Sequence, residues 1–264
     1  MDIEKIKKIA NRPGMIPLIH NYCDKWCERC PLASRCSVFA MREEEPEFSA
    51  PRDTDNPESL SPVIEILQAA HELLLEKAEQ EGWDIDAPLT EEEEARNRER
   101  ERKIEESQLV KDSDKYREMV RQWFDSTDEL LEEKEQELQT KARLELPDSD
   151  PEAEAEDFND ILEILGWYYT VIPVKIHRAV SYEPFDFLDD DEDDDFPNDG
   201  DGSAKVALIS IDRSIDAWRR LQKHFPEKED EILDFLIRLD ALRKSVEKEF
   251  PNARSFKRPG FDEQ

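Results

Sequence analysis

Glycine is scarce in this chain, with 6 in 264 residues. So little of the residue that permits left-handed turns and close backbone approach disfavours phosphate-cradling loops and many-turned β architectures, and suits helices. No Walker A, Gly-x-Gly-x-x-Gly or Gly-x-Ser-x-Gly pattern occurs. Long apolar runs are missing too, and none approaches the ~20 residues a bilayer requires. The opening residues, Met1-Asp2-Ile3-Glu4-Lys5-Ile6-Lys7-Lys8, lack the apolar core of a secretory signal, so the cytoplasm is the expected compartment. Positive charge is in deficit: 37 Lys and Arg stand against 68 Asp and Glu, a net charge of -31. Nucleic acid and anionic membranes are poor partners for such a chain, whereas a basic protein is an electrostatically suitable one.

Cysteine is rare but not scattered. All four, Cys23, Cys27, Cys30 and Cys36, fall within 14 positions with spacing C-x3-C-x2-C-x5-C. Disulfides are uncommon in a reducing cytoplasm, so this spacing reads as a metal site. On a helix, positions 23, 27 and 30 would share one face, and Pro31 would end that turn so that Cys36 loops back as a fourth ligand. Four thiolates need positive charge nearby, for which Lys25, Arg29 and Arg35 are candidates. Zinc is usually delivered by two separated Cys-x-x-Cys pairs. Iron-sulfur cubanes are often held by three close cysteines plus one more, with proline after a ligand, as at Cys30-Pro31. The cluster therefore favours [4Fe–4S], with zinc as the alternative. His20 is a neighbour that could replace one sulfur.

The first three cysteines resemble the C-x3-C-x2-C motif of radical S-adenosylmethionine enzymes. That resemblance implies a β/α barrel with glycine-rich motifs downstream, which this chain lacks, and an open iron position, which Cys36 would fill. The family is therefore set aside. Arg219 and His224 form Arg-x4-His, similar to the motif of HEPN helical ribonucleases, although an acidic chain is ill suited to an RNA substrate.

The rest of the chain predicts an all-α bundle of four or five main helices behind a cysteine-rich N-terminal metal-binding segment. Residues 1–43 form that segment; up to Arg42 its eight Lys or Arg oppose only Asp2, Glu4, Asp24 and Glu28. Residues 44–60, with their prolines and acids, read as a linker, and 61–250 as an acidic helical bundle. Ser61-Pro62 opens a helix that Gly82 stops, with Leu67, Leu74 and Ala78 on its apolar stripe. Thr90 and Glu93 offer a capping box before a charged helix. Stripes follow over 116–142, 158–180, 203–221 and 228–250. An acidic stretch near 186–202 is expected to be a disordered loop, and 251–264 a fraying tail with a basic patch of Arg254, Lys257 and Arg258.

Two further sites come into view. Lys175, His177 and Arg178 close the most apolar helix and could form an anion pocket, the basis for a small-anion-binding enzyme. The residues three before each histidine are Pro17, Gln68, Val174 and Leu221, so the Glu-x-x-His signature of di-iron bundles is absent. The function expected is a metal-binding helical protein with a redox, electron-transfer or structural four-cysteine site. The rival is an acidic interaction or adaptor protein with structural zinc.

Overall fold

A computed structural model describes residues 3–44, 61–82, 84, 87–144, 150–182 and 198–262. Among the described residues there are eight α-helices and no strand: α1 Ile3–Ala10, α2 Ser37–Glu44, α3 Ser61–Glu81, α4 Glu91–Glu106, α5 Gln108–Arg143, α6 Pro151–Val180, α7 Asp199–His224 and α8 Glu229–Glu249. None is long and apolar enough to cross a membrane.

Local chemistry sets the boundaries. Thr90 and Glu93 make the expected capping box: Thr90 N donates to Glu93 Oε2 at 2.7 Å, and Glu93 N to Thr90 Oγ1 at 3.2 Å. Ser107, Asp150 and Asn198 cap α5, α6 and α7 by accepting from Val110 N, Ala153 N and Asp201 N. Gly82 ends α3 at φ 72°. α6 starts earlier than its apolar stripe suggests because Asp150 caps it and Pro151 occupies the first turn. It also continues unbroken through Pro173.

Two compact units emerge: Met1–Arg96 with Lys257–Gln264, and Asn97–Phe256. The boundary lies within α4. This differs from a bundle domain running over 61–250, because α3 groups with the cysteine segment. The expected linker lies outside the described residues beyond Glu44, as does the expected acidic loop before Asn198. Asp199 to Gly202, read as part of that loop, instead form the first turn of α7, with Gly200, Asp201 and Gly202 buried.

The larger unit is a four-helix bundle in which α5 packs on α6, α6 on α7, α7 on α8 and α8 on α5. Ion pairs from the end of one helix to the start of the next, such as Arg178 to Asp199 at 2.6 Å, make α6 and α7 antiparallel. Trp218 is fully buried at its centre. Its ring stacks on Phe235 at 4.2 Å and meets Trp123 edge-on at 5.0 Å, and its Nε1 donates to Tyr116 Oη at 3.2 Å. The expected α8 stripe of Ile232, Phe235, Leu239, Leu242 and Val246 is buried throughout.

The tail does not fray within the described residues. Ala253 is fully buried, Arg254 pairs with Asp212 at 2.6 Å and Glu247 at 2.8 Å, and Lys205 donates to the Phe256 carbonyl. Arg258, farther on, pairs with Asp262 at 3.0 Å. α3 departs from expectation in another way: of its stripe, Ala78 is buried but Leu67 and Leu74 are 63% and 47% exposed.

Candidate metal centre

The cysteine segment is not an α-helix. Three 3₁₀ turns, Ile19–Asn21, Cys27–Arg29 and Ala33–Arg35, follow one another before α2. The backbone reason lies between the turns. Lys25 adopts φ 63° and Trp26 N donates to Asp24 Oδ1 at 3.2 Å, a tight reversal that no continuing helix allows. Pro31 holds Cys30 extended at ψ 118°, as a residue before proline must be. Helical spacing therefore does not align Cys23, Cys27 and Cys30.

The turns nevertheless keep every cysteine at or just beyond a turn end. Cys27 opens the second turn, while Cys30 and Cys36 close the second and third, each through its own N–H to the carbonyl three residues back, at 3.2 and 3.1 Å. Cys23 follows the first turn and its Sγ donates to the His20 carbonyl at 3.5 Å. All four side chains are half-buried and line one small cavity. Its wall is completed by His20, Trp26, Phe39 and Phe261, among others. As the side chains stand, no group of three or more His, Cys, Asp or Glu among the described residues is arranged to hold a metal ion. The sulfurs border a shared space without converging on a point.

Electrostatics at the cavity are mixed. Burial pushes the Cys27 thiol up; the Arg42 guanidinium pulls it down, and Cys23, Glu28 and Cys36 push it up further. Burial likewise pushes Cys30 up, opposed by a hydrogen bond from the Leu32 backbone and reinforced by Cys23, Asp24 and Cys36. The thiols thus lie within electrostatic reach of one another.

Of the cations expected to balance them, Arg29 stacks over the Trp26 ring at 4.1 Å and Arg35 donates to Gly14 O at 2.9 Å. Arg42, on α2, is the one that acts on Cys27, while also pairing with Glu28 at 2.8 Å. Its part was not visible in sequence, since it follows the last cysteine and reaches back only through the fold. Phe261 has no sequence signal at all, being 225 positions after Cys36.

The remaining candidates do not converge. Lys175 is buried in α6, His177 is exposed, and Arg178 is forked onto Asp199 at 2.6 and 2.8 Å. The expected anion pocket thus has its three residues in three different environments. Arg219 is exposed, whereas the His224 ring packs 5.2 Å from Phe158, with Asp157 and Glu154 at 3.7 and 3.9 Å. Burial, and then Lys134, hold His224 below its ordinary range against the pull of those carboxylates. The neighbouring Arg220 is the arginine that engages this acidic end, binding Asp157 and Asp160.

No family model matches the chain, and comparison with curated proteins and with solved structures returned no match.

Proposed function

We propose that this is a metal-binding helical protein in which Cys23, Cys27, Cys30 and Cys36 hold a [4Fe–4S] cluster. The observation that carries the reading is that four cysteines in and around three successive turns line one cavity. Zinc draws four sulfurs to within about 2.3 Å of a single point. A cubane carries its irons at the corners of a cube, so its cysteine ligands stand around a volume and not a point. Four sulfurs that border one space without converging on a point suit the second arrangement better. Four cysteine ligands leave no iron open to substrate, which favours electron transfer or structural fastening over substrate chemistry. Arg42 and the cavity's aromatic wall would offset part of the cluster's charge and keep water from it.

Anaerobic purification followed by iron, sulfide and zinc analysis tests this reading. A brown protein with iron and sulfide in equal amounts is expected, with colour and iron lost in Cys30→Ala. A colourless protein carrying one zinc would sink the cluster. A second reading, an interaction protein with structural zinc, is favoured by α3. That helix exposes Ile64, Leu67, Leu74 and Leu75 beside Glu72, Glu76 and Glu79, a face that suits a basic amphipathic partner.

A further inference from the structure

The cysteine cavity is not built from the N-terminal segment alone. Phe261 lines it together with the four cysteines, and residues after Lys257 belong to the same compact unit as the N-terminal residues. The approach is close. Gly260 has φ +73°, and a Cβ there would lie 2.6 Å from Ile16 Cδ1 and 3.4 Å from Leu32 Cδ1. Ile16 is itself tied to the cysteine turns, its N–H donating to Arg35 O at 3.0 Å.

A small clasp aims the ring. Arg258 donates to Asp262 three times: from N and Nε to Oδ2 at 3.0 and 3.1 Å, and from Nη2 to Oδ1 at 3.0 Å. Phe261 N and Asp262 N return to Arg258 O at 3.2 and 3.1 Å. The Arg258 guanidinium also lies 4.8 Å from the centre of the Phe261 ring. These interactions hold a tight turn whose aromatic side chain lines the cavity. A turn with backbone and side chain both fastened is a poor candidate for incidental packing, because ordering it costs conformational entropy that the contact must offset.

We propose that Phe261, held by the Arg258–Asp262 clasp, is the residue that governs access to the four-cysteine site: it covers the cavity and limits which reagents reach the sulfurs and any metal on them. The role deepens the metal reading and rests on it for its meaning, but covering of the thiols is measurable without metal. The test uses the full chain, stripped of metal and reduced, with 5,5′-dithiobis(2-nitrobenzoate) as the thiol probe.

Phe261→Ala should raise the labelling rate by about ten-fold, since accessible thiols react and covered ones do not. Asp262→Asn, which weakens the clasp but keeps the ring, should give a smaller rise. Amide exchange at Ile16 and Ala40, whose N–H groups bond Arg35 O and Cys36 O, should be unchanged, which separates uncovering from unfolding. A labelling rate within two-fold of the parent overturns the proposal, as does acceleration matched by faster exchange at those amides. With metal reconstituted, Phe261→Ala should also lose it faster to a chelator. A protein that takes up no metal defeats the metal reading alone, and the labelling comparison still decides the cover.

Discussion

The hydrogen bond between Trp218 and Tyr116 at the heart of the bundle gives the sharpest quantitative test. Both side chains are essentially inaccessible, at 0% and 1% exposure, so water replaces neither partner when the other is removed. Tyr116→Phe deletes the acceptor of Trp218 Nε1 with almost no change of volume, leaving a buried donor unpaired. The expected loss is about 1–3 kcal/mol, the desolvation penalty of an orphaned group. Trp218→Phe should cost more, because the stack on Phe235 and the edge contact with Trp123 shrink with it. In the double variant no donor is orphaned, so its loss should fall below the sum of the two singles by about 1 kcal/mol.

An alkaline arm sharpens the same test. Burial pushes Tyr116 from 10.0 up to about 12. Above pH 10 the unfolded chain ionises this tyrosine while the folded chain resists. The stabilising contribution is therefore full below pH 10 and lost as pH rises toward 12. At roughly 1.4 kcal/mol per pH unit the loss is about 3 kcal/mol. Urea unfolding followed by circular dichroism at pH 8 and pH 11 measures both effects, and the parent's advantage over Tyr116→Phe should shrink by about 1.4 kcal/mol at the higher pH. A neutral Tyr116→Phe, or strict additivity in the cycle, would refute the reasoning.

Other outcomes follow from separate parts of the molecule. Asp150→Ala removes the cap that accepts from Ala153 N at 3.0 Å and should lower bundle stability by about 1 kcal/mol in urea melts. His224 is held below its ordinary range, so its share of stability is present above that range and lost as pH falls; the stability curve of His224→Gln should be flatter between pH 7 and 5. Metal retention should weaken on acidification, because protons compete for the thiolates, and a pH series of metal content after desalting reads this directly. Arg42→Ala should slow metal uptake by reduced apoprotein, since it removes the cation that pulls the Cys27 thiol down, whereas Arg42→Lys should restore part of it; equal uptake in all three would exclude that role.

Much of the helical content was legible from period and caps alone. The α8 stripe at positions 232, 235, 239, 242 and 246 is buried as its spacing requires, and the Thr90–Glu93 box forms as written. The misreadings share a cause: local pattern is silent about what the tertiary structure fastens. Asp199 to Gly202 look like the end of an acidic loop, yet Asn198 caps them into α7 and Gly200 packs where a Cβ would lie 3.1 Å from Tyr182 Cδ1. The cysteine spacing points to a shared site, and a regular helix would align three of the four. The Lys25 reversal and the Pro31 constraint produce three short turns instead. Arg42 and Phe261 were beyond reach, because nothing in a spacing identifies the residue that folds back over it.

The clasp has a consequence for biosynthesis. Phe261 lies beyond α8, so the ribosome adds it only after all four helices of the bundle have been made. The cysteines emerge before it. On the proposed reading, loading while the nascent chain grows and loading after Phe261 has folded back are chemically different events, and the order of synthesis sets an interval in which a delivery factor meets the sulfurs without that ring over them.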